Sequence, residues 1–151
     1  MEIRTYLDIA APPARVWEVL TDFAGYDDWN PLLQHVRGKP EVGSTVRFDA
    51  VVNGRKLPLS AQVMIVEPER ELMWVGPAAP RLLRKVISGS HWFRLSPTAS
   101  GGTRFDHGEV FRGLAVPARW DRFEKFARPG YEAMNHALME VVTSRAAHVA
   151  R

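Results

Sequence analysis

Residues 103–142 read TRFDHGEVFRGLAVPARWDRFEKFARPGYEAMNHALMEVV, and the hydrophobic period changes within them. Thr103, Phe105, His107, Glu109 and Phe111 share one side of the first ten residues, which is the period of two of a half-buried strand. Phe105 and Phe111 mark that side as the inner one. Beyond Pro117, a residue suited to the first turn of a helix, Trp120, Phe123, Ala127, Tyr131, Met134, Leu138, Val141 and Val142 recur at steps of three and four. Arg119, Arg122, Glu124, Lys125, Glu132 and Glu140 fall mostly off that stripe, so the segment is an amphipathic helix. Arg128-Pro129-Gly130 interrupts it. An internal proline loses a hydrogen bond and clashes one turn back, costing ~3 kcal/mol in a straight helix, so a kink or break into two pieces in line is expected.

Upstream of this boundary the signal is β. Lys85 to Ser96 reads as a long strand, with His91, Phe93 and Leu95 on its inner face, joined to the next by the turn-rich Pro97 to Gly102. His91 then lies opposite His107 or Glu109, depending on where the hairpin closes. Val46, Phe48, Ala50 and Val52 alternate, and Asn53-Gly54 is the strongest hairpin signal in the chain. Leu57 to Val66 and Glu71 to Val75 are further strands, separated by Glu67-Pro68-Glu69-Arg70. At the beginning, Ile3, Thr5, Leu7 and Ile9 form one face of a first strand, and Pro12-Pro13 ends it. Val16 to Leu20 and Asp22 to Trp29 then give two short helices, the second stopped at Asn30-Pro31. The order is strand, two short helices, about six strands and a long helix. That order predicts an α+β fold in which a curled antiparallel sheet grips the helix, because one helix cannot cover a flat sheet of this width.

The 151 residues fit one domain, 1–151. With no cysteine, disulfides, thiolate catalysis and Cys-ligated metals are excluded. A net charge of +3 with interspersed signs does not point to nucleic acid. The cluster Arg81, Arg84 and Lys85 reads first as a solvated loop. No apolar run is long enough to span a bilayer, and no basic leader with an apolar run opens the chain, so a cytoplasmic location is expected. No phosphate-cradling or dinucleotide motif is present, and no cofactor is expected.

The chain resembles the START-like helix-grip superfamily (SRPBCC), and within it the polyketide cyclase/dehydrase-type family. The resemblance rests on Ile9-Ala10-Ala11-Pro12 with Val16-Trp17, Leu20-Thr21-Asp22, Tyr26 and Trp29-Asn30-Pro31. It continues through His91 to Leu95, Gly102 to Phe105, Glu109 to Gly113, and Met134-Asn135 with Leu138. It implies a seven-stranded antiparallel sheet, two small helices closing one end, and a cavity between sheet and long helix. A small apolar ligand (lipid, polyketide or aromatic metabolite) is the implied partner. The fold alone does not separate a carrier from a cyclase.

From the face assignments, Phe48, Phe93, Phe105 and Phe111 are expected to line the cavity from the sheet. Phe123, Ala127, Tyr131 and Met134 are expected to line it from the helix. His91, His107 and Glu109 are the candidates for chemistry, as a His/Glu acid–base pair at the ligand. Against this stands a purely structural pair, since buried polar groups are normally matched, or a bulge that turns Glu109 to solvent. A metal site has the residue types but no ligand spacing, and none is expected. Tyr131 and Asn135, one turn apart, are possible polar anchors. Trp92 should point outward, offering an interface for a protein partner or packing under a loop.

Overall fold

A computed structural model of the chain describes residues 1–78, 83–114 and 120–149. The expectations at Arg81, Pro117 and Arg119 lie outside the described residues. Strand β1 (Glu2–Ile9) leads into helix α1 (Pro13–Thr21) and a 3-10 helix at Phe23–Asp28. Strands β2 (Leu33–Arg37), β3 (Thr45–Val52), β4 (Arg55–Glu67), β5 (Glu71–Gly76), β6 (Ser88–Pro97) and β7 (Thr103–Arg112) follow, with a 3-10 turn at Leu83–Lys85, and then helix α2 (Trp120–Val149). The seven strands form one sheet in the order β1-β7-β6-β5-β4-β3-β2, all pairs antiparallel. This is the α+β helix-grip arrangement. Among the described residues no helix is long and apolar enough to cross a membrane.

Local chemistry explains the curl. The register slips between Gln34 and Arg37 on β2, where His35 has a φ of 52°, and again between Val63 and Ile65 on β4. An extra residue on one strand bends it and raises the local twist. The β3–β4 turn has Asn53 and Gly54 both at positive φ (51° and 71°), the geometry of a type I′ hairpin. Leu72, Phe93, Leu95, Phe105, Met134, Leu138 and Val142 are buried together and make a solid core under the second half of α2.

Three expectations are corrected. Strand β6 starts at Ser88, not Lys85, because its last partner is Arg112. Gly113, at a φ of 122°, ends the β7 ladder, and beyond it Leu114 N–H reaches the Lys85 carbonyl at 3.2 Å outside the strand pairing. Second, α2 is one helix through Pro129 rather than two pieces. Packing holds it: a side chain at Gly130 would begin 3.0 Å from Leu32, so the glycine lets the helix lie close against the segment entering β2. Third, Trp92 is on the outer face but only 3% exposed. Gly108 opposite leaves room for its ring, and the guanidinium of Arg94 lies 4.5 Å above the indole. Arg94 is itself held by Glu71. No loop is needed to cover it.

Candidate functional site

Residue size along the strands decides where the sheet and α2 separate. On the inner face at one end stand Ala50, Ala61, Gly76 and Gly89, where the core end carries Leu72, Phe93 and Phe105. Small side chains on adjacent strands leave a cavity of about 560 Å³ between β3–β7 and the first half of α2. Leu33, Phe48, Trp74 and Phe111 line it from the sheet, and Trp120, Phe123 and Ala127 from α2. Leu57, Leu59 and Ile87, each about half exposed, form the rim with Phe123. The volume is within the ~300–1,000 Å³ range of small-molecule pockets.

The cavity holds Phe48, Phe111, Phe123, Ala127 and Tyr131 of the eight side chains expected to line it. Phe93, Phe105 and Met134 are fully buried in the solid core instead. They point inward as their period requires, but the cavity occupies only one end of the inner face. Period reports a face, not a position along it.

His91, His107 and Glu109 come together, and all three are on the inner face. His91 pairs with Glu109 in the ladder, and Phe93 with His107. Hydrogen bonds and one longer contact, between His91 and Glu109, run through them. Tyr131 donates its hydroxyl to Glu109 Oε2. His91 Nδ1 stands 3.4 Å from the same Oε2. His91 Nε2 meets His107 Nε2 at 2.8 Å, and His107 Nδ1 meets Asn135 Oδ1 at 2.7 Å. Asn135 Nδ2 donates to Thr5 Oγ1 at 2.8 Å, and the Thr5 hydroxyl donates to the His107 carbonyl at 3.0 Å.

Burial sorts these groups. His107, Asn135 and Thr5 are closed off from solvent and are absent from the cavity wall. His91, Glu109 and Tyr131 are on the wall. Burial, and then the neighbouring His91, hold His107 well below the usual imidazole range, so it is neutral. Burial, and then the charge and hydrogen bond of Glu109, push the Tyr131 phenol well above its usual range. Asn135 is thus turned away from the cavity, while Tyr131 faces it. Among the described residues no cluster of three His, Cys, Asp or Glu side chains has a geometry that would hold a metal.

Two parts of the site were not singled out from sequence. Thr5 is a polar residue between Ile3 and Leu7 on an apolar strand face, a signal that was present. Gly89 is a glycine inside a strand, which often marks close approach by another group. A Cβ there would lie 1.9 Å from Glu109 Oε1.

Known proteins agree with this architecture. The Zhui aromatase/cyclase from Streptomyces sp. R1128 superposes with a TM-score of 0.74 at 21% identity, covering 97% of this chain and 95% of that one. A START superfamily protein from Mycobacterium smegmatis gives 0.75 at 16%, covering 95% and 97%. A protein from Thermus thermophilus gives 0.75 at 18%, covering 96% and 99%. At these identities the likeness is one of fold. None of the curated proteins matches in sequence. The family model described as polyketide cyclase / dehydrase and lipid transport matches residues 2–143, nearly the whole chain, and the protein belongs to that family.

Proposed function

We propose that the protein binds one small, mainly apolar molecule, such as a lipid, polyketide or aromatic metabolite, between its sheet and α2. The observation that carries this is the cavity of about 560 Å³, built by Ala50, Ala61, Gly76 and Gly89 where larger residues would have closed the core. Its wall is apolar apart from Ser60, Ser88, His91, Glu109 and Tyr131, and among these lining residues there is no lysine or arginine. Such a wall stabilises a ligand chiefly by removing its apolar surface from water. The test is titration with a neutral fluorescent probe such as phenyl-naphthylamine. One molecule should bind per chain. Ala50→Phe, which fills the cavity, should weaken binding at least ten-fold while the variant still melts cooperatively. Equal binding by that variant would overturn the reading.

A second reading, an enzyme of the cyclase/dehydrase type, is favoured by one observation: Glu109 faces the cavity and is backed by His91 at 3.4 Å. In such a step the carboxylate takes a proton from a carbon next to a substrate carbonyl. The C–OH bond then breaks, the proton is delivered to the departing hydroxide, and water leaves behind a new C=C bond. Incubation with an aromatic β-hydroxyketone should give loss of one water by mass spectrometry, abolished in Glu109→Gln. No turnover with any such ketone removes this reading and leaves the first intact. A role as a protein–protein accessory module has lost its main support, since Trp92 is covered.

A further inference from the structure

The hydrogen-bond chain has a direction, and the direction states what Glu109 offers to the cavity. Asn135 Nδ2 is spent on Thr5, whose own proton goes to the His107 carbonyl. Asn135 Oδ1 is therefore an acceptor, and His107 Nδ1 carries a hydrogen for it. A neutral imidazole has one N–H, so His107 Nε2 presents a lone pair. His91 Nε2, 2.8 Å away, must then donate. What remains of His91 is Nδ1, facing Glu109 Oε2 at 3.4 Å. The Tyr131 hydroxyl donates to the same oxygen, so both neighbours of the carboxyl group meet it at Oε2.

Glu109 Oε1 is left without a partner among the described residues. It is next to Gly89, the strand position that has no side chain to cover it. With Tyr131 and His91 both on Oε2, Oε1 is the oxygen of this wall residue whose lone pairs are left for a donor.

We propose that Glu109 Oε1 docks an uncharged hydroxyl group, phenolic or alcoholic, of the ligand, and that the cavity discriminates against the carboxylate of the same skeleton. This rests on the ligand-binding reading above. A ligand carboxylate, carbonyl or ether would set lone pair against lone pair. A carboxylate would also bring a charge that no lysine or arginine among the described lining residues offsets. A hydroxyl donates its one hydrogen and brings no charge.

The experiment compares naphthalene, naphthol, methoxynaphthalene and naphthoate on the unmodified protein by displacement of the fluorescent probe at neutral pH. Naphthol should bind about ten-fold more tightly than naphthalene or methoxynaphthalene, the scale of one hydrogen bond to a charged or strongly polar acceptor. Naphthoate should bind more weakly than naphthalene. Glu109→Leu should bring the affinities for naphthol and naphthalene to within two-fold of each other. If naphthalene, naphthol and methoxynaphthalene bind alike, or naphthoate equals or exceeds naphthol, the hydroxyl assignment is overturned and the cavity reading stands. If none of them displaces the probe, and the probe itself does not bind, both fall.

Discussion

Asn135→Ala tests the buried chain directly. Asn135 uses both ends of its amide, and His107 depends on one of them. His107 is fully buried, so removing Asn135 Oδ1 leaves its Nδ1–H with no acceptor and no route to water. An unsatisfied buried donor costs ~1–3 kcal/mol, and the lost bond to Thr5 a further ~0.5–1.5 kcal/mol. Alanine's better helix propensity returns ~0.5 kcal/mol. The expected loss is thus about 1–4 kcal/mol, or roughly 3–15 °C in melting temperature for a domain of this size. His136→Ala, the next residue on the exposed face of the same helix, should change stability by ~0.5 kcal/mol or less. Urea titration followed by tryptophan fluorescence gives both values. Nitrogen NMR of the imidazoles should place the His107 proton on Nδ1 in the unmodified protein. A loss no larger than that of His136→Ala, or a His107 proton found on Nε2, would refute the chain's direction and what was built on it.

Acid should destabilise the fold through His107. The unfolded chain takes up a proton near pH 6.5 that the folded chain, with this imidazole held well below that value, does not. Stability therefore falls by ~1.4 kcal/mol per pH unit for this one group as pH drops below 6.5, and His107→Leu should lower the measured slope by that amount. An unchanged slope would show that His107 is not kept neutral. Phe93→Ala should cost ~3–5 kcal/mol, because its ring is fully packed, whereas Phe111→Ala should cost clearly less, because its ring already borders the cavity. Equal losses in denaturant titrations would deny the cavity. Gly89→Ala should force the Glu109 carboxylate away from Tyr131 and His91, since the new methyl would overlap Oε1. The preference for naphthol over naphthalene should vanish in that variant, and its persistence would show that Oε1 is not the docking atom.

Much of this architecture is legible along the chain because local rules and the tertiary fold agree. The period of two in β1, β3, β6 and β7 identifies their inner faces, since a strand's side chains alternate by covalent geometry. The period of α2 identifies Ala127, Tyr131, Met134 and Leu138 as its buried stripe, and Asn53-Gly54 identifies the β3–β4 turn. The resemblance to the helix-grip superfamily supplied the strand number. Pro129 shows where local reasoning stops: in an isolated helix it is a break, but in α2 the packing of the flanking turns outweighs the lost bond.

What the sequence alone determined, then, is the order and type of the elements, the faces they present, and the fact that two histidines and a glutamate share one face of adjacent strands. The tertiary structure decided the rest. It set His91 opposite Glu109 rather than His107, because register depends on where the β6–β7 hairpin closes. It placed the cavity at one end, because volume is a property of Ala50, Ala61, Gly76 and Gly89 brought side by side from four successive strands. It also joined Thr5, His107 and Asn135, residues separated by as many as 130 positions. No local pattern encodes a hydrogen bond between groups that only folding brings within reach. The direction of that chain exists only in three dimensions.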